Sequence, residues 1–100
     1  MEIKAKVNGE KALFELVGKL TVQTAPELDE AVDSLPLSVC DLDIDIAGVD
    51  YIASAGFRVL LGKGRQMVRR GGMMRLLHPR DEIMEVIRMT GLSEVFTIES

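Results

Sequence analysis

The stretch Asp41-Leu42-Asp43-Ile44-Asp45-Ile46-Ala47-Gly48-Val49-Asp50-Tyr51-Ile52-Ala53-Ser54-Ala55-Gly56-Phe57-Arg58-Val59-Leu60-Leu61 decides the fold. From Asp41 to Ile46, the apolar residues Leu42, Ile44 and Ile46 alternate with three aspartates, the period-two pattern of a half-buried strand. After a short loop around Gly48, the period lengthens. A helix can start near Ser54 and run to Arg70, with Phe57, Leu60, Leu61, Gly64 and Val68 as its buried stripe. Ser54 is placed to cap this helix by accepting a hydrogen bond from a free amide of the first turn. Lys63, Arg65, Arg69 and Arg70 crowd its C-terminal half, where cations offset the negative end of the helix dipole. Gly71-Gly72 ends it.

Working outward, Met73 to Leu77 is a short apolar segment between Gly-Gly and Pro79, which predicts a further strand. A third helix is expected from about Arg80 to Thr90, with Ile83, Val86 and Ile87 inward. Gly91 then Leu92 fit a terminating glycine with its hydrophobic contact, and Val95 to Ile98 can supply a last strand. On the N-terminal side, Thr24-Ala25-Pro26-Glu27 fits a capping box that opens a helix with Leu28, Ala31, Val32 and Leu35 inward, and Pro36 ends it. Before it, Glu2 to Val7 alternates as a strand and Asn8-Gly9 is a hairpin signal. Lys11 to Val17 should therefore return antiparallel, closed by Gly18. The order ββαβαβαβ predicts one α/β domain over residues 1–100, with a mixed sheet of four to five strands. Alternation in the strands, where a doubly covered sheet would show continuous apolar runs, places the helices mainly on one face.

Composition narrows the functions. The 100 residues are 47% hydrophobic and 4% aromatic, with six Met, one Cys, one His and a formal net charge of −4. Such a chain can bury roughly 65% of its unfolded surface in an aliphatic core without disulfides or metal. The acidic balance argues against direct nucleic-acid binding, which needs clustered cations. No apolar run approaches the ~18 residues of a membrane span, and Met1 to Val7 alternates charged with apolar residues where a signal peptide would be apolar. A cytoplasmic location without membrane insertion is expected.

Reactive side chains are few. His78, the sole histidine, stands at a strand end before Pro79 and suits a structural or solvent-facing role better than a catalytic one. Cys40 reads as a small buried hydrophobe. Asp41, Asp43 and Asp45 lack the turn and the late Glu of a calcium loop and read as a solvated strand face, or as partners of neighbouring lysines. Gly62-Lys63 lacks the spacing of a phosphate loop. Met84 and Met89 lie off the helical stripe and could line an adaptable contact surface. No enzymatic activity, cofactor or metal is expected. The turn from Asp50 to Phe57 remains: Ser54 serves there as a helix cap, or as a hydroxyl whose phosphorylation would be met by backbone donors and the positive end of a dipole.

Leu42 to Ile52 followed by Ser54-Ala55-Gly56-Phe57-Arg58-Val59-Leu60-Leu61 resembles the central segment of STAS domains, the anti-sigma factor antagonists of bacteria. Gly18-Lys19-Leu20-Thr21 with Thr24-Ala25-Pro26-Glu27-Leu28 resembles the family's G-x-L-D…T-A-P-x-L stretch. Gly71-Gly72 to Pro79 resembles its G-G…L-x-x-P strand, and Thr90-Gly91-Leu92 with Phe96 its T-G-L…F ending. The resemblance implies a protein that binds an anti-sigma factor, often a serine kinase, and so regulates sigma-factor-dependent transcription. It implies an off-switch, phosphorylation of a Ser in an Asp-Ser-Ser-Gly motif, reversed by a phosphatase. Aligned on Gly56, the motif's Asp is Ala53, its first Ser is Ser54 and its usual acceptor is Ala55; the acid after Gly-x-Leu is Thr21. Either Ser54 substitutes as phosphoacceptor, with Thr21 a further hydroxyl nearby, or partner binding proceeds without this control. The implied partner-binding residues are Thr21, Tyr51, Ala53, Ser54, Ala55, Gly56, Phe57 and Arg58. A second reading of the resemblance is a scaffold or accessory subunit of a transporter or stress-sensing complex.

Overall fold

A computed structural model describes residues 1–99. Five strands form one sheet in the order β1-β2-β3-β4-β5: β1 Glu2–Asn8, β2 Lys11–Leu20, β3 Asp41–Ile52, β4 Met73–Leu77 and β5 Thr97–Glu99. β1 and β2 form an antiparallel hairpin, and every later neighbour is parallel. The helices are α1 Ala25–Asp33, α2 Ser54–Arg69 and α3 Asp81–Met89, and a short 3-10 turn spans Leu92–Glu94. Because β2 to β5 lie side by side in chain order, right-handed crossovers carry α1, α2 and α3 to the same face. The mixed sheet and the element order agree with the sequence reading.

The core fills the space between that face and the helices. Phe14, Leu16, Leu42, Ile44, Ile46 and Leu76 point into it from the sheet and are fully buried. Leu28 and Val32 of α1, Leu60 and Met67 of α2, and Ile83 and Ile87 of α3 close it from above. The hairpin turns on Gly9 and Glu10, with Gly9 at φ 64 in the first loop position, so the glycine acts as the leading residue of a two-residue loop. Gly91 follows α3 at φ 77, the left-handed conformation expected of a terminating glycine.

Several elements differ from the expectations. β2 continues through Gly18 to Leu20, and β3 continues past Ile46 to Ile52, because register shifts between Glu15 and Val17 and between Gly18 and Lys19 keep the two strands paired beyond the simple alternation. These shifts also move the buried set from every second residue to Val49 and Ile52. The stripe of α2 is Gly56, Leu60, Lys63 and Met67: Leu60 is buried as predicted, while the other positions lie one residue earlier than Phe57, Gly64 and Val68; Phe57, Leu61 and Gly64 are half-buried and Val68 is exposed. Lys63, read from the sequence only as one of the cations offsetting the helix dipole, is thus buried between helices. On α3, Val86 is exposed while Ile83 and Ile87 are buried. Met84 packs against the core, leaving Met89 as the exposed methionine of that helix. The last strand begins at Thr97, two residues later than expected, with Val95 exposed before it. Cys40 is only partly buried.

The sheet's other face is half-buried and polar. Asp43 accepts two hydrogen bonds from Arg75, from Nε at 2.7 Å and from Nη2 at 2.8 Å, and Arg75 also reaches Glu99 at 3.3 Å. Asp45 lies 3.2 Å from His78 Nδ1 and accepts the Ala47 amide. Among the described residues the three aspartates are therefore partnered by Arg75, by His78, by the Met73 amide of β4 and by the Ala47 amide of β3 itself, and not by lysines, since β3 and β4 run parallel and in register.

Candidate functional site

Parallel sheets of this kind present their sites beyond the carboxyl ends of the strands, where the chain turns into the helices. Leu20 and Ile52 end β2 and β3 as register partners, so Thr21 and Ala53 leave the sheet side by side. The Ala53 amide donates to the Leu20 carbonyl at 2.8 Å and its own carbonyl accepts the Phe57 amide at 3.1 Å. Ala53 is thus the N-cap residue of α2, with extended backbone (φ −80, ψ 168), and Ser54 is the first helical residue. The expectation that Ser54 caps the helix is corrected by this geometry. Its side chain lies one position too far along to fold back on the first turn. Ser54 is exposed, and the first-turn amides keep no intrahelical acceptor; the first turn itself carries no acidic residue.

Gly56 sets how closely α2 approaches the strand ends. A Cβ there would lie 2.8 Å from Leu20 Cγ and 2.9 Å from Ile52 Cγ2, well inside van der Waals contact. The glycine therefore lets the helix start rest directly on the ends of β2 and β3.

Thr21 and Thr24 form a closed turn beside Ser54. Thr24 Oγ1 accepts the Thr21 amide at 2.7 Å and donates to the Lys19 carbonyl at 2.7 Å. Thr21 Oγ1 accepts from the amides of Gln23 and Thr24. The predicted capping box is absent: Thr24 already has helical dihedrals (φ −97, ψ −18), and its hydroxyl serves the end of β2 in place of the first turn of α1. The Thr21 hydroxyl is engaged in the same turn, whereas that of Ser54 is not.

Tyr51 and Arg58 stand exposed on either side of the Ala53–Phe57 turn, and Phe57 is half-buried. The structure gathers all the predicted pole residues at one end of the sheet. It adds groups that sequence reasoning missed. Lys19 pairs with Asp50 at 3.2 Å, and the Lys19 hydrogen bond holds the Asp50 carboxyl below the usual range. A small cavity of about 120 Å³ lies where Tyr51 and Phe57 meet Glu82 and Val86 of α3. The available signal was Val86, an apolar residue of α3 that is exposed and lines this cavity.

The comparisons with known proteins fit this geometry. A family profile, the STAS domain, matches residues 2–100. The chain belongs to the STAS domain family. Among relatives, it is 25% identical over 100 residues to the anti-sigma-B factor antagonist of Bacillus subtilis (strain 168), covering all of this chain and 92% of that one. Among solved structures, a candidate anti-sigma factor antagonist of Thermotoga maritima superposes with a TM-score of 0.89 at 17% identity, over 98% of this chain and 86% of that one. The Bacillus cell fate determinant SpoIIAA in its phosphorylated form superposes with a TM-score of 0.75 at 17% identity, over 99% and 92% of the two chains. The structural matches carry the STAS fold, on which Thr21 and the Tyr51–Arg58 turn occupy one exposed end. No helix among the described residues is long and apolar enough to cross a membrane.

Proposed function

We propose that this STAS domain is an anti-sigma factor antagonist. It binds an anti-sigma factor through the pole formed by Thr21 and Tyr51 to Arg58, and its output is binding and not turnover. The observation that carries the reading is the exposed Ser54 on the first turn of α2, beside the strand ends and flanked by exposed Tyr51 and Arg58. The relative named as an anti-sigma-B factor antagonist, which aligns over the whole chain, supports the partner class.

Ser54 is the phosphoacceptor in this reading. Ala55 has no hydroxyl, and the Thr21 hydroxyl already holds two amides. A phosphoryl group on Ser54 would add about 1.5 to 2 negative charges, and the free amides and dipole of α2 would stabilise them. The same charge on a surface built to dock a partner disrupts docking by repulsion and desolvation. A solved structure of SpoIIAA in its phosphorylated form is consistent with this fold tolerating such a group. Intact mass after incubation with ATP and the cognate serine-kinase anti-sigma factor tests the assignment. One added phosphoryl group is expected on the wild type and none on Ser54→Ala. A phosphate that persists on Ser54→Ala contradicts it, and a phosphatase of the same system should remove the wild-type modification.

A further inference from the structure

A second concavity lies at the opposite end of α2 from the pole. It has a volume of about 530 Å³ and runs between the C-terminal half of α2, the start of β4 and the residues entering β5. Leu61, Val68, Met73, Met74, Val95 and Phe96 supply its apolar surface. It arises from topology. Among the described residues β5 pairs only with Arg75 to Leu77, so Met73 and Met74 have no strand neighbour on that side, and Val68, Met73 and Val95 stay 64%, 43% and 56% exposed.

Two further features mark this groove. Gly64 lines it from mid-helix, where glycine costs about 1 kcal/mol relative to alanine. Unlike Gly56, nothing inside the fold demands it: a Cβ at Gly64 would meet only the Met74 side chain, at ordinary contact distances of 3.4 Å from Cε and 4.0 Å from Cβ. What the glycine provides is depth. The rim is cationic, with Arg65 and Arg69 one turn apart on α2. Among the described residues neither has an ion-pair partner, although the chain as a whole is acidic. No acidic side chain lines the groove.

We infer that this groove binds a single-chain anionic amphiphile, a free carboxylate with an aliphatic tail. The volume falls in the range of small-molecule sites, which pair an apolar lining with a few placed polar groups. Cations stand on the α2 wall alone; the Val95–Thr97 wall has none. One anionic head with one apolar tail matches that asymmetry, whereas an acidic helix would present carboxylates to both walls. Met73 and Met74 can repack around a tail without a fixed shape.

Titration of the isotope-labelled full chain with dodecanoate below its micelle concentration, followed by amide NMR, tests this. Saturable shifts are expected at Gly64, Met73, Met74 and Val95 and not at Ser54. Dodecyltrimethylammonium, with the same tail and the opposite charge, should bind at least about tenfold more weakly, the scale of one lost charge-assisted hydrogen bond. Arg65→Glu with Arg69→Glu, both exposed, should weaken dodecanoate by a similar factor, and Gly64→Leu should abolish the shifts while the thermal midpoint is kept or raised. Equal binding of the two amphiphiles, shifts centred elsewhere, unchanged affinity in the arginine variant, or binding only to phosphatidylglycerol vesicles would each overturn the proposal.

Discussion

Lys63 offers the sharpest test of how the helix layer is held. Its side chain is 9% exposed and its ammonium lies 2.8 Å from Asp29 and 2.6 Å from Asp33, both on α1, with Gln66 at 3.3 Å. Burial pushes the Lys63 ammonium towards losing its proton, but the hydrogen bonds it donates to Asp29 and Asp33 outweigh that effect and hold the group above 10.5. The hydrogen bond from Lys63 in turn holds Asp33 below 3.8. Truncation to Ala removes three buried methylenes, about 2.4 kcal/mol at ~0.8 kcal/mol each, together with the charge-assisted bonds. Lys63→Ala should therefore lose roughly 2–4 kcal/mol. Lys63→Met keeps the stem and removes the cost of desolvating an ammonium, while the two aspartates, about half exposed, return to water. Its stability should stay within about 1 kcal/mol of wild type at neutral pH.

The pH dependence gives the account a second handle. The contribution of Asp33 is present above 3.8 and is lost as pH falls through its lowered folded value. That of Lys63 is complete below 10.5 and is lost as pH rises through its raised folded value. Relative to wild type, Lys63→Met should therefore gain stability both below 3.8 and above 10.5. Urea unfolding followed by circular dichroism at pH 7 and pH 3 measures this. A loss of more than about 3 kcal/mol in Lys63→Met at pH 7, or a difference from wild type that is the same at both pH values, refutes the reasoning.

Other positions yield further expectations. Gly56→Ala should cost about 1–2 kcal/mol in urea unfolding, since overpacking against Leu20 and Ile52 exceeds the ~1 kcal/mol gained in helix propensity; a stabilised variant would contradict the close approach of α2. A double-mutant cycle of Asp43→Asn and Arg75→Met should give a coupling of about 0.5–1.5 kcal/mol by thermal unfolding, because the pair is bidentate yet part-exposed, and a coupling of zero would contradict it. Thr24→Val should cost about 1–2 kcal/mol and speed amide exchange at Thr21, whose N–H it orphans; unchanged exchange would show that the threonine turn is not held by this hydroxyl.

The fold was largely legible because its strands and helices switch period cleanly, as between Asp41–Ile46 and the residues after Ser54. What escaped depends on contacts between distant segments. Lys63 read as one of four cations that offset the helix dipole; its burial is set by Asp29 and Asp33, which face it from another helix, and the acid pair at that spacing on α1 was the available clue. Thr24 matched a capping box, but the Lys19 carbonyl and Thr21 amide, delivered by the end of β2, compete for its hydroxyl and win. The cap moved from Ser54 to Ala53 because the Leu20 carbonyl fixes the Ala53 amide, a link that only strand pairing creates. The placing of Thr21 and the Tyr51–Arg58 turn at one end of the sheet followed from the family resemblance, whereas the groove beside Gly64 was not legible, since it depends on β5 starting opposite Arg75 and leaving Met73 and Met74 without a strand neighbour.

The most direct test of the central claim is a calorimetric titration of the chain with its cognate anti-sigma factor, comparing wild type, Tyr51→Ala, Ser54→Glu and Leu37→Ala. Leu37 is 85% exposed and lies beyond the other end of β3, so its replacement is a control for surface change. Saturable wild-type binding is expected, weakened at least about tenfold by Tyr51→Ala and by Ser54→Glu and unchanged by Leu37→Ala. Absence of wild-type binding, or equal binding by the Tyr51 and Ser54 variants, would contradict the assignment of this pole as the partner surface.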